Sequence, residues 1–70
     1  MTSKLNSRMI IARRSKGESQ KAMAQAIGVS QVMISNIETG KRMGSPKMLA
    51  KIAKHLDKSV DYLFFEENNS

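Results

Sequence analysis

Residues 20–42, QKAMAQAIGVSQVMISNIETGKR, constrain the fold of this chain more than any other segment. Their spacing predicts two short helices joined by a turn, with Ala24 and Gly28 where the two backbones come closest. The side chains predicted to pack the helices together are Met23, Ile27, Val29, Ile34 and Ile37. Because the free face of the second helix in such a helix-turn-helix unit lies in the DNA major groove, we expect duplex DNA as the partner.

Length and charge fit one small helical domain. The 70 residues leave room for a single core, so we expect an all-α, compact bundle of about five short helices spanning residues 1–70, with the helix-turn-helix at about 19–40. Residues 1–44 hold 8 basic and 2 acidic side chains, whereas residues 45–70 hold 4 of each. The positive charge therefore accompanies the helix-turn-helix, as expected for a partner that is a polyanion.

Several other classes of protein lack support in the sequence. No apolar stretch is long enough for a membrane span or a secretory signal, so a cytoplasmic location is expected. The chain has no cysteine and one histidine, His55, which predicts no metal site, no cofactor and no small-molecule ligand. His55 is expected at the surface. Serine, histidine and acidic residues form no nucleophilic arrangement, so no catalytic residue and no enzyme activity are predicted.

The flanking helices are predicted from the spacing of apolar residues. A first helix at about residues 4–15 has an inward stripe of Leu5, Met9 and Ala12, with Arg13 at its margin. Ile10 and Ile11 lie on opposite flanks of this helix and are either covered by the C-terminal segment or available to a partner protein.

A fourth helix is predicted to begin after Ser45 at Pro46. Its inward face is formed by Leu49, Ile52, Ala53 and Leu56, and its lysines 47, 51, 54 and 58 are expected to form a solvated face rather than a second DNA contact. A last helix at about 60–64 returns Val60 and Leu63 to the core, before a polar tail at 66–70. Ser19 and Ser30 are predicted N-caps, and Gly40 is a predicted C-cap.

The second helix of the helix-turn-helix supplies the candidate base-reading residues. On a helical wheel Val32, Ser35 and Asn36 lie opposite Ile34 and Ile37, and Gln31 lies in the first turn. Amide side chains can pair with adenine and valine can contact a thymine methyl, so these four are predicted to read bases. The alternative is an ordinary exposed helix face. Met33 lies on the flank and is expected to pack against a neighbouring helix.

Three residues are predicted to contact phosphate. Lys41 and Arg42 follow the second helix directly, and Gln20 begins the first helix beside its open amides. The alternative for Gln20 is a purely structural role at the helix start. Arg13 and Glu38 are predicted to form an ion pair between helix 1 and the base-reading helix, and the alternative is two unrelated surface charges.

These residues resemble the Cro and C1-type repressors of temperate phages and the related Xre-like bacterial regulators, over about residues 5–64. The resemblance is carried by LAKIAKHL at 49–56, VDYL at 60–63, and the set Arg13, Gln20, Ala24, Gly28, Val29, Ser30, Gln31, Ile34, Ile37, Glu38 and Gly40. It implies a lambda repressor-like DNA-binding domain, the site roles given above, and a homodimer on a near-palindromic operator with contacts from the C-terminal region.

The sequence departs from this family at Glu18, a position that is usually apolar, and we expect looser packing of the turn between helices 1 and 2. The loop at 43–46 also varies in length among members. Phe64 and Phe65 point in different directions, which makes them candidate dimer contacts, and capping of the core by both is the alternative. A different function on the same fold is also open: an antitoxin or other interaction protein whose main surface is Ile10, Ile11, Phe64 and Phe65.

Overall fold

The computed structural model describes residues 5–66 and confirms the all-α prediction, since these residues form helices and turns without a strand. The helices are α1 (Ser7–Ser15), α2 (Gln20–Ile27), α3 (Gln31–Thr39) and α4 (Pro46–Leu56). A single π-helical turn, Asp61–Phe65, follows. Within the described residues, no helix has both the length and the apolar composition needed to cross a bilayer.

One core joins all five elements. Met9, Met23, Ile34, Ile52 and Leu63 come from five different elements, and each is fully buried. Ala12, Ala24, Ile37, Ala53 and Leu56 complete the cluster. Burial of this apolar surface is the main stabilising contribution to such a domain.

The predicted helix ends are confirmed for α2, α3 and α4. The hydroxyl groups of Ser19, Ser30 and Ser45 accept hydrogen bonds from the backbone N–H groups of Ala22, Met33 and Met48 at 3.0 to 3.1 Å. Each bond satisfies one of the first-turn amides that a helix leaves unpaired. Gly40 ends α3 in the left-handed conformation.

The predicted beginning of α1 is wrong. The helix begins at Ser7, because the Asn6 side chain accepts from Met9 N at 3.0 Å and caps the first turn. Leu5 therefore precedes the helix and is 54% exposed instead of joining the inward stripe. Met9 and Ala12 are buried as predicted, and Arg13 is buried with them.

The C-terminal turn differs slightly from the predicted helix. It begins one residue later, at Asp61, and its π-type hydrogen bond runs from Glu66 N to Asp61 O at 2.8 Å. Leu63 is buried as predicted, and Val60 packs half-buried on the core. The remainder of the predicted polar tail, residues 67–70, and residue 4 at the predicted beginning of α1 lie outside the described residues.

Glu18, in the turn between α1 and α2, contacts His55 of α4, contrary to the expectations for both residues. His55 Nε2 lies 2.7 Å from Glu18 Oε1, and both side chains are largely shielded from solvent. The backbone carbonyl of Glu18 also accepts from Arg13 Nη1 at 2.7 Å. His55 is therefore not a free surface residue, and the turn between α1 and α2 is fastened to α1 through Arg13 and to α4 through His55 rather than loosened.

Candidate nucleic-acid interface

The turn between α2 and α3 depends on the backbone conformation of Gly28. This residue has φ +78°, and the N–H groups of Gly28 and Val29 both donate to Ala24 O at 2.9 Å. Glycine enters this left-handed region without the Cβ strain of other residues. A Cβ built on Gly28 would meet no atom within 4 Å, so the predicted close backbone approach at Gly28 is wrong and its conformation explains the residue.

Helix α3 presents two different faces. Ile34, Ile37 and Glu38 are buried, while Val32 is 67% exposed and Gln31 is exposed beside it. Ser35 and Asn36 are half-buried on the same side, and Met33 packs against the core from the flank as expected. The four predicted base-reading residues thus share an accessible face of one capped helix. Their uncharged amide, hydroxyl and methyl groups match the donors, acceptors and thymine methyl of the major groove.

The cations that follow α3 lie directly beside this face. Lys41 and Arg42 are both exposed, and the backbone N–H of Arg42 donates to Asn36 O at 3.2 Å. This bond holds the chain after Gly40 against the last turn of α3. Two positive side chains therefore extend from a backbone fixed next to Asn36, which suits contact with phosphates that flank a base step.

A buried polar network holds α1, α2 and α3 together. Arg13 Nε donates to Glu38 Oε2 at 2.7 Å, Arg13 Nη2 donates to Glu38 Oε1 at 3.3 Å, and Gln20 Nε2 donates to Glu38 Oε1 at 2.9 Å. Glu38 is 2% exposed and Arg13 is 7% exposed. The structure thus brings the predicted partners Arg13 and Glu38 together as a forked ion pair, the geometry that arginine and carboxylate favour.

The sequence did not reveal that Gln20 belongs to this network. One hydrogen of its Nε2 is directed to Glu38, so the side chain has a structural role at the helix start. An amide nitrogen has two hydrogens, and the second is available on the half-buried Gln20 side chain. A phosphate contact by Gln20, as predicted from the sequence, would use this second hydrogen and the main-chain N–H groups that begin α2.

A groove of about 380 Å³ lies at the end of α3, and its lining is mixed, because the polar side chains of Asn6, Arg42 and Glu66 lie beside apolar ones. Leu5, Met43, Phe64 and Phe65 line it together with Ile37 of α3 and the C-cap residue Gly40. Phe65 is 63% exposed, while Phe64 is half-buried against the core, so the alternative in which both phenylalanines cap the core is wrong. The two consecutive side chains divide between the core and the surface.

The four residues of the alternative interaction surface are not equally accessible. Ile10 and Phe64 are half-buried, and Ile11 and Phe65 are exposed. Ile11 lines a different groove, beside Tyr62 and Lys58, and among residues 5–66 the two grooves share no lining residue. Arg8 stacks over the Tyr62 ring at 4.2 Å in this second groove. The predicted four-residue surface is therefore divided between two places.

The described part of the chain holds no group of three histidine or acidic side chains placed to bind a metal ion. Every fully buried side-chain nitrogen and oxygen atom there has a hydrogen-bond partner. The polar groups of the interior are thus accounted for by the protein itself, and the accessible face of α3 with its adjacent cations is the candidate site.

Comparison with known proteins agrees with this geometry. No curated protein matches the chain. A protein-family model described as Helix-turn-helix matches residues 9–63, from the first buried methionine of α1 to the buried leucine of the C-terminal turn. Because this match covers most of the 70 residues, the chain belongs to the Cro/C1-type helix-turn-helix family and is a DNA-binding transcriptional regulator of that kind.

Proposed function

We propose that the chain represses transcription by occupying a near-palindromic operator as a homodimer, as regulators of temperate phages and their bacterial relatives do. Two copies of α3 enter successive major grooves about 34 Å apart and exclude a competing protein from the promoter. The observation that supports this most is the exposed α3 face, on which Gln31 and Val32 stand free of any partner element.

Each part of the interface has a separate role in this proposal. Gln31, Val32, Ser35 and Asn36 read base edges, so they determine which sequence is bound. Lys41, Arg42 and Gln20 contact phosphates, which supplies affinity without sequence information. Arg13 and Glu38 position α3 and Gln20 from inside the domain.

The proposed homodimer uses the exposed apolar side chains of the groove at the end of α3. Phe65, Leu5 and Met43 each expose more than half of their surface there, and a monomer gains nothing from that exposure. Ile37 and Gly40 form part of the groove, so a second copy seated on it would contact the end of α3 directly. This location keeps both base-reading helices close to the symmetry axis, as two neighbouring half-sites require.

Selection of bound sequences from random duplex DNA tests the base-reading part. Gln31→Ala and Val32→Ala should change the selected bases. Gln25→Ala is the matched control, because Gln25 is exposed on α2 and is not one of the proposed base-reading residues of α3. Arg42→Ala should weaken binding to all sequences and reduce the salt slope by about one, whereas Lys54→Ala should leave that slope nearly unchanged. Unaltered base preferences in both α3 variants would refute the assignment.

Sedimentation of the free protein and of its DNA complex tests the homodimer. Phe65→Asp should abolish the dimer and weaken binding to a palindrome, while the melting temperature of the monomer stays close to that of the wild type because Phe65 is 63% exposed. Ile11→Asp is the control, since Ile11 is equally exposed in the other groove. A Phe65→Asp variant that dimerises as well as the wild type would exclude this surface.

A further inference from the structure

Asn6 joins three ends of helical elements. Its main-chain N–H donates to Glu38 O, in the last turn of α3, at 2.8 Å. Its side-chain Oδ1 accepts from Met9 N at the beginning of α1, and its Nδ2 donates to Leu63 O in the C-terminal turn at 2.9 Å. Helix ends leave unpaired N–H and C=O groups, and here one residue satisfies such groups on three elements.

The contacts of Asn6 connect the proposed dimer surface to the base-reading helix. Leu63 O accepts from Asn6 Nδ2, and Leu63 is followed immediately by Phe64 and Phe65, which line the groove at the end of α3. Glu38, which Asn6 also holds, lies two turns after the base-reading residue Gln31 on the same helix. Asn6 itself lines the groove. The groove wall and the end of α3 are therefore fastened to a common residue.

We infer that Asn6 is a positioning residue that fixes the angle between the dimer surface and α3 and thereby determines which half-site spacing the dimer accepts. This inference rests on the proposed homodimer. Because a change of spacing by one base pair both shifts and rotates a half-site, a rigid dimer distinguishes spacings strongly, whereas a dimer whose C-terminal turn moves relative to α3 distinguishes them weakly.

Asn6→Ser separates this connection from helix capping. Serine is as good an N-cap as asparagine and retains the main-chain N–H, but its side chain has no amide that reaches Leu63 O. Ser45→Ala is the matched control, because it removes a cap of similar strength from α4 at a residue that does not line the groove. Each protein is titrated against the selected palindrome and against palindromes whose half-sites are one base pair closer or farther apart.

We expect the wild type and Ser45→Ala to bind palindromes of altered spacing about tenfold or more weakly than the selected palindrome. For the Asn6→Ser variant, the affinity for the selected palindrome should exceed that for the altered ones by about threefold or less. Amide hydrogen exchange at Leu63 and Glu66 should also accelerate in Asn6→Ser alone.

The possible failures are distinguishable. A wild type that is monomeric on DNA refutes the homodimer and the spacing role together. If the wild type is dimeric and Asn6→Ser keeps the same ratio of affinities between spacings, the role of Asn6 alone is refuted. The same holds if Asn6→Ser weakens binding equally at every spacing. Unaltered exchange at Leu63 and Glu66 shows that the side-chain contact does not hold the C-terminal turn, and it overturns the inference as well.

Discussion

Replacing Glu38 by glutamine tests the buried network directly. The change keeps the size of the side chain but removes the negative charge that Arg13 contacts at 2.7 Å. It also leaves the Gln20 and Arg13 donors competing for a single carbonyl oxygen. Loss of one member of a buried ion pair typically costs about 3–5 kcal/mol, because the remaining charge is left without compensation in a poorly solvated site.

We expect the lower end of this range for Glu38→Gln. Arg13 retains its hydrogen bond to the carbonyl oxygen of Glu18, which leaves one donor satisfied. A loss of about 3 kcal/mol in a domain of this size corresponds to a fall of roughly 12–24 °C in melting temperature. Since the free energy of unfolding of a small domain is about 5–15 kcal/mol, the variant should remain folded at low temperature.

Urea denaturation followed by circular dichroism at neutral pH and low temperature measures this change. Glu66→Gln is the control, because it makes the same substitution in the exposed ion pair with Arg8, where Glu66 is 56% accessible, and should cost less than about 1 kcal/mol. The double variant Arg13→Met with Glu38→Gln removes both charges and should be more stable than Glu38→Gln alone. If Glu38→Gln lies within about 1 kcal/mol of the wild type, the network does not stabilise the fold as argued.

Three smaller changes test other parts of the fold. Gly28→Ala should lower the free energy of unfolding by about 1–2 kcal/mol because of its positive φ. Gly44→Ala should lower it more, because its φ is +84° and the new Cβ would also lie 3.2 Å from Ile37 Cδ1. Equal losses for the two variants in urea denaturation would contradict the effect of the Ile37 contact. Ser30→Ala should cost about 1 kcal/mol and accelerate amide exchange at Met33, which loses its acceptor, and unchanged exchange would refute the cap. His55→Ala should lower stability by about 1 kcal/mol through loss of the Glu18 contact, with the exposed Lys51→Ala as control, and identical melting curves for the two variants would show that the contact is not stabilising.

The sequence predicts the regular parts of this fold well because local rules govern them. Serine caps, a glycine C-cap and apolar residues three or four apart depend on neighbours along the chain, and these place α2, α3 and α4 closely. The end of α1 also follows such rules. Its beginning follows a local rule that conflicts with the apolar spacing, since Leu5 continues that spacing while the Asn6 side chain accepts from Met9 N and begins the helix at Ser7. An asparagine followed by Ser7 is a local cap signal that the periodicity obscured.

The contacts that the sequence could not reveal are long-range and polar. Asn6 and Leu63 are 57 positions apart, and Glu18 and His55 are 37 apart. Neither pair has a periodic signature, because each depends on how whole helices pack. Arg13 and Glu38 were accessible to prediction only because both lie at the margins of their wheels. Gln20 was missed as their third partner, since a residue at a helix start is equally consistent with solvent exposure.

Charge and specificity are separated in this domain. The net charge of +6 comes from residues 1–44, where lysines and arginines lie on α1 and α2 as well as after α3, and exposed lysines also lie on α4, so positive charge alone does not mark the face that meets DNA. The proposed base-reading residues Gln31, Val32, Ser35 and Asn36 carry no charge. Because phosphate contacts respond to salt and contacts with base edges respond mainly to sequence, added salt should weaken binding to cognate and unrelated duplexes together while the uncharged face of α3 preserves most of the preference between them.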